Sequence, residues 1–165
     1  MKKITPFLLF DGQAEEAAKF YISLMPDSQI DKVTRWPADT QGGSPDGVLT
    51  VEFTFGGFQF VALNGPKFPF TEAVSFQIAC ADQAEVDHLW AALSAGGWEG
   101  PCGWLKDRWG LSWQVTPTRL LELIADPDPN RARRAMEAMM KMSKINIAEV
   151  ENAADGKEAT QPANL

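Results

Sequence analysis

Apolar residues recur along this chain with two different periods. From Gln13 to Met25, Ala14, Ala17, Ala18, Phe20, Tyr21 and Leu24 repeat at helical spacing, with Glu15, Glu16 and Lys19 outside, until Pro26-Asp27 ends the run. Before it, Thr5 to Phe10 is rich in aromatic and branched residues and stops at Asp11-Gly12, which predicts a strand. Ser28 to Arg35 reads as a second strand. Val48 to Phe55 and Phe58 to Leu63 are two more, turned at Gly56-Gly57 as a hairpin. Trp36 to Gly47 is a loop of Gly, Pro, Ser and Asp, longer than a hairpin needs, and reads either as a lid or as an ordinary surface excursion.

The same order then returns. Val74 to Ala79 alternates, with Phe76, Ile78 and Cys80 on one face and Ser75, Gln77 and Ala79 on the other. Asp82, with Glu85 three residues on, predicts a capped helix whose stripe is Val86, Leu89, Trp90 and Leu93, ending at Gly96-Gly97. In CGWLKDRWGLSWQV a strand opens at Trp104-Leu105 and turns at Asp107-Arg108-Trp109-Gly110, with Asp107 and Arg108 as turn chemistry and a surface pair. It returns with Leu111, Trp113 and Val115 alternating against Ser112, Gln114 and Thr116. Gln13-Ala14-Glu15 recurs as Gln83-Ala84-Glu85, and that seventy-residue offset also places Thr5 on Ser75, Phe10 on Cys80 and Phe20 on Trp90. A duplicated domain over 1–125 follows, with modules 1–68 and 69–125.

Beyond Thr116-Pro117 a short LLELI run looks strand-like, and Asp126-Pro127-Asp128-Pro129 then starts a helix near Asn130. Arg131, Arg133 and Arg134 read as its solvated face. Ala135, Met136, Met139, Met140 and Met142 form a stripe suited to core or subunit packing. Residues 126–154 are therefore expected as a helical extension, and 155–165 as a polar, disordered tail.

Composition narrows the functional classes. With 165 residues and 45% of them hydrophobic, the chain can build one sizeable domain or two fused repeats, which excludes disorder over its whole length. A formal net charge of -7 argues against nucleic acid and against an anionic membrane surface. The apolar run Ile4 to Phe10 is broken by Pro6 and closed by Asp11, so it reads as neither signal peptide nor membrane span, and a cytoplasmic location is expected. Cys80 and Cys102 lack metal-pair spacing and are expected as free thiols, Cys102 with no neighbouring His to activate it.

The segments TPFLLFDG, AEEAAKFY, EFTFGGFQFVALNGPKF, AVSFQIACADQAEVDHLW, CGWLKDRWGLSWQV and MMKMSKINIAEV cover most of residues 4 to 150. Together they resemble the vicinal oxygen chelate superfamily, which includes glyoxalases, bleomycin-resistance proteins and dioxygenases. More narrowly they resemble its PhnB-like branch, labelled 3-demethylubiquinone-9 3-methyltransferase. The resemblance implies an α+β fold of two βαβββ modules whose curled mixed sheets share a cavity, followed by the helical extension, and it implies a homodimer. Metal-using relatives hold a divalent ion with His or Gln and Glu from both modules. Here the corresponding positions fall on Thr5, Ser75 and Gln114, and Phe53 to Thr71 contains no Asp or Glu, so no metal and no cofactor are expected. His88, the only histidine, sits mid-helix. The methyltransferase label is doubtful, because no Gly-x-Gly run follows a strand.

If the faces opposite the helices line the cavity, Ser75, Gln77, Ser112 and Gln114 belong to it. Thr5, Phe7, Asn64 and Trp104 join them as expected ligand-binding residues, and Glu52 and Thr54 come from the first hairpin. Glu52 is the acid on that face and the candidate general base. Such a wall suits a small, partly apolar organic molecule. The functions open at this point are a sequestering protein, a metal-independent or weakly metal-assisted enzyme, and an interaction protein using the Met-rich helix; whether the chain is an enzyme stays undecided.

Overall fold

The computed structural model describes residues 3–37 and 46–157. The middle of the expected lid loop, 38–45, and the tail from 158 on lie outside the described residues. The chain divides into two compact units, Met1–Pro69 and Phe70–Leu165.

In the first unit, β1 (Phe7–Phe10) leads into α1 (Ala14–Ile22), and β2 (Gln29–Arg35), β3 (Val48–Phe55) and β4 (Phe58–Asn64) follow. The sheet order is β1-β4-β3-β2, with β1 parallel to β4 and the other pairs antiparallel. Strand alternation decides what lies under the helix. Val51, Phe53, Phe55, Phe60 and Ala62 are buried with Ala14, Ala17, Ala18 and Tyr21 of α1. Tyr21 stacks on Phe53 at a centroid distance of 6.0 Å, and Phe53 stacks on Phe60 at 5.4 Å. Each such pair contributes about 0.5–1.5 kcal/mol beyond its area. Gln13 supplies no side-chain cap to α1; the amide oxygen of Asn64 accepts from Ala14 N–H at 2.9 Å instead.

The second unit repeats the plan. Strand β5 (Ser75–Cys80), helix α2 (Gln83–Ser94), and strands β6 (Trp98–Glu99), β7 (Trp104–Lys106) and β8 (Ser112–Pro117) form a sheet in the order β5-β8-β7-β6. Asp82 accepts from Glu85 N–H at 2.9 Å, and the Glu85 carboxylate accepts from Ala81 N–H at 2.7 Å, so the expected cap forms reciprocally. Val86, Leu89, Trp90 and Leu93 are buried, as are Leu105, Trp113 and Val115. The two-residue β6 has no counterpart in the sequence reading. Gly97 just before it is required by close approach: a Cβ there would stand 2.0 Å from the Lys106 carbonyl oxygen.

The LLELI run is helix, not strand. Helix α3 (Thr118–Ile124) starts from Pro117, which ends the β8 ladder, and it buries Leu120 and Leu123, three positions apart, while Leu121 is exposed. Helix α4 (Pro129–Met139) begins where expected, capped by Asp128 accepting from Asn130 N–H, and α5 (Ile147–Ala154) closes the extension. Leu120, Leu123, Ala135, Ile145, Val150 and Ala154 form its core, with Met139 and Met142 packed against it. Arg131 and Arg134 do not form a solvated face. Arg131 pairs with Asp126 at 3.0 Å and also with Asp155, while Arg134 donates to the Ala153 and Ala154 carbonyls at the end of α5. Those cations meet the negative end of a helix and clamp α4 to α5.

Candidate functional site

Register places the second sheet's polar residues on the face away from α2. Ser75 pairs with Ser112 and Ser112 with Lys106, while Gln77 pairs with Gln114 and Gln114 with Trp104. Two cross-strand rows result, and Trp98, in register with Lys106, extends the first. Gln114 Nε2 donates to Ser75 Oγ at 2.8 Å. Ser112 is 1% exposed and Thr116 7%, so this face is not simply turned to water. Among the described residues, Ser112 Oγ is the buried side-chain polar atom without a hydrogen-bond partner. An unmet buried hydroxyl of this kind costs about 1–3 kcal/mol. Lys106 Nζ lies 2.5 Å from Glu72 Oε1, and this bond holds the Glu72 carboxyl below the usual range. Lys106 and Trp98 were missed by sequence reasoning, since only the strand register reveals which side chains share a row, and Glu72 was missed because it meets Lys106 from the loop before β5.

In the first unit the face away from α1 carries Thr50, Glu52 and Thr54 on β3, opposite Leu63, Val61 and Gln59 on β4. Phe7 is in register with Val61 and is 56% exposed; Val61 is buried. Glu52 is half-buried between Val61 and Lys32, and its carboxylate has no hydrogen-bond or ion-pair partner among the described residues. Thr5 lies just before β1 and is half-buried. Asn64 stands apart from this set. It is in register with Phe10, on the helix side, and both ends of its amide bind backbone: Ala14 N–H and the Val48 carbonyl. It also lines a groove of about 490 Å³ with Gly12, Trp36, Val48 and Pro66.

The Asp107 turn is more than surface chemistry. Asp107 is 2% exposed, and its carboxylate accepts from Trp109 N–H (2.9 Å), Leu111 N–H (3.1 Å) and Trp113 Nε1–H (2.8 Å). It fixes the loop that sets Lys106 opposite Ser112. Arg108 is exposed, with its guanidinium 5.5 Å from the centre of the Trp109 ring. Both cysteines are free thiols, and burial pushes the Cys80 thiol up to about 12. His88 is exposed on α2.

The model of the 3-demethylubiquinone-9 3-methyltransferase family matches residues 2–116. The PhnB protein from Bacillus cereus, which carries the same description, is 34% identical; the match covers 71% of this chain and 100% of that one, with a TM-score of 0.62. The chain belongs to this PhnB-like family, a branch of the vicinal oxygen chelate superfamily. A Pseudomonas aeruginosa protein that is 21% identical, with 71% of this chain and 98% of that one covered and a TM-score of 0.55, shares the fold. No curated protein matches the sequence. The PhnB-like model ends before α3, so the helical extension lies beyond it.

At the positions where the superfamily resemblance places metal ligands, this PhnB-like chain holds Thr5, Ser75 and Gln114. Two hydroxyls and an amide form a neutral set, and the Gln114 amide already donates to Ser75. Without an anionic or imidazole ligand, that set does not fit a divalent ion. Among the described residues no three His, Cys, Asp or Glu side chains gather into a metal cluster, and no helix is long and apolar enough to cross a membrane.

Proposed function

We propose that this PhnB-like protein binds a small, partly apolar organic molecule on the helix-free faces of its sheets, without the His and Glu metal site of metal-using relatives and without a cofactor. The burial of Ser112 and Thr116 on the face opposite α2 is the observation that supports it most. Polar side chains are rarely buried without hydrogen-bonding work, and Gln77, Gln114, Ser75 and Trp104 beside them supply amides, a hydroxyl and an indole for directed contacts. A thermal-shift screen of small organic molecules tests the reading. A bound compound raises the melting temperature of the wild type, and Gln114→Ala removes most of that rise. A stabilisation unchanged by Gln114→Ala would count against this face.

A second reading makes the face of the first sheet away from α1 catalytic. Glu52, half-buried and without a partner among the described residues, serves in this reading as the base that takes a proton from a substrate bound there. Glu52→Gln would then preserve binding of a ligand found in the screen and abolish its turnover, whereas unaltered turnover in that variant excludes Glu52 as the base.

Two copies are proposed to associate through α4. Met136 on that helix and Met140 at its C-cap, 39% and 65% exposed, offer apolar surface for a second chain. Light scattering at micromolar concentration is expected to give twice the chain mass; the mass of a single chain would refute the dimer. With a net charge of -7, nucleic acid is not among the proposed partners.

A further inference from the structure

Resting on the small-molecule reading above, we propose that the ligand of the second sheet is an aromatic or otherwise planar carboxylic acid. Its carboxylate is taken by the Lys106 ammonium and the Ser112 hydroxyl, and its planar body lies against Trp98 and Trp104. Three independent observations meet in one cross-strand row. Ser112 is buried with its hydroxyl unmet, Lys106 is its direct neighbour on β7, and Trp98 is the neighbour of Lys106 on β6. The next row adds Trp104 beside Gln114.

Charge selects the ligand's head group. Lys106 already holds a carboxylate, that of Glu72, in a bond of 2.5 Å. Glu72 comes from the loop before β5 and is 61% exposed, against 29% for Lys106, so the acid half of this pair is the half free to leave. Exposed ion pairs of this kind are weak and exchange readily for a better partner. An incoming carboxylate would keep the single negative charge that Lys106 pairs with and would add a bond from Ser112 that Glu72 leaves unmade. A dianionic group would leave one charge uncompensated beside Glu72, which favours a monoanion. Trp98, 55% exposed, offers a large flat apolar surface one position from the cation, which suits a planar body attached directly to the acid.

Naphthoate and its neutral amide naphthamide separate the parts of this proposal when titrated into the full chain and followed by the Trp98 and Trp104 indole resonances. In the wild type the acid is expected to move both resonances and to bind roughly tenfold more tightly than the amide, the scale of one charge-assisted hydrogen bond. Lys106→Met is expected to abolish that preference and leave the amide unaffected. Glu72→Gln, a change at an exposed side chain, is expected to tighten the acid alone, because the competing carboxylate is gone. Equal affinity for acid and amide in the wild type, or an acid preference that survives Lys106→Met, overturns the carboxylate assignment while leaving the face as a binding site. If neither probe moves either resonance, the small-molecule reading of this face falls, and the carboxylate assignment with it.

Discussion

Asp107→Ala destabilises the second unit by about 3 kcal/mol or more, because it leaves two buried donors unmet at about 1–3 kcal/mol each and a third, part-buried one beside them. The buried donors are the backbone N–H of Leu111 and the Trp113 indole, whose residue is 2% exposed, and the part-buried one is the backbone N–H of Trp109. Asp107→Asn separates these contributions. Its carbonyl can still accept from both backbone groups, but its NH2 faces the indole N–H, donor against donor. The expected loss for that variant is about 1–3 kcal/mol, one unmet indole donor. Trp113→Phe removes the donor at a cost of its own, and Asp107→Asn should then add less in that background than in the wild type. Urea unfolding of the four proteins measures this coupling. A cost for Asp107→Ala within error of zero would mean that the turn does not depend on this carboxylate, and that the placement of Lys106 opposite Ser112 rests on something else.

Much of this fold could be read before any coordinates. The two helices under the sheets announce themselves through stripes such as Val86, Leu89, Trp90 and Leu93, and the strands through alternation such as Leu111, Trp113 and Val115. The repeat at Gln13 and Gln83 carried over into matching strand orders, β1-β4-β3-β2 and β5-β8-β7-β6. What escaped has physical reasons. Five residues of LLELI are too few to separate a period of two from one of 3.6, and Pro117 ending the ladder decided for the helix. The β6 strand is two residues long and depends on its partner β7 rather than on a pattern of its own.

The candidate site was legible as a face but not as a row. Alternation put Ser75, Gln77, Ser112 and Gln114 together, whereas the alignment of Ser112 with Lys106 is a matter of register between strands. Register is set by the Asp107 turn. Asn64 shows the opposite limit. Its type suggested a ligand contact, yet its amide links β4 to α1 and to the start of β3 across distances in sequence that no local pattern encodes.

Removing residues 118–165 is expected to strip the second unit of several kcal/mol and to drive the remaining chain toward aggregation. The extension is stitched into the unit at three places. Gln83 donates to the Ile145 carbonyl and accepts from Ile147 N–H, Cys102 and Gly103 N–H donate at 2.7 Å to the Met142 and Ser143 carbonyls, and Lys144 pairs with Asp87. Truncation unmakes those bonds and also takes away Ile145, fully buried beside the Gly103 loop. The milder Ile145→Ala keeps the extension and should cost about 2–5 kcal/mol, the usual range for emptying a buried isoleucine site. Hydrogen exchange distinguishes a local from a general effect: the truncated chain should lose protection at Cys102, Gly103 and the amides of β7 and β8 before those of the first unit. A truncated chain as stable as the full one would make the extension an appendage and would dissociate it from the loop that precedes Trp104.

Ligand binding on the helix-free faces is the claim on which the rest depends, and a compound that raises the melting temperature provides its most direct test once its position is mapped by amide and side-chain NMR. The resonances expected to move belong to Gln77, Trp104, Ser112 and Gln114 for a ligand of the second sheet, or to Glu52 and Thr54 for a ligand of the first, while Val86, Leu89 and Val115 under the helix stay in place. Shifts confined to the helix side, or to the Met136 and Met140 surface of α4, would contradict it.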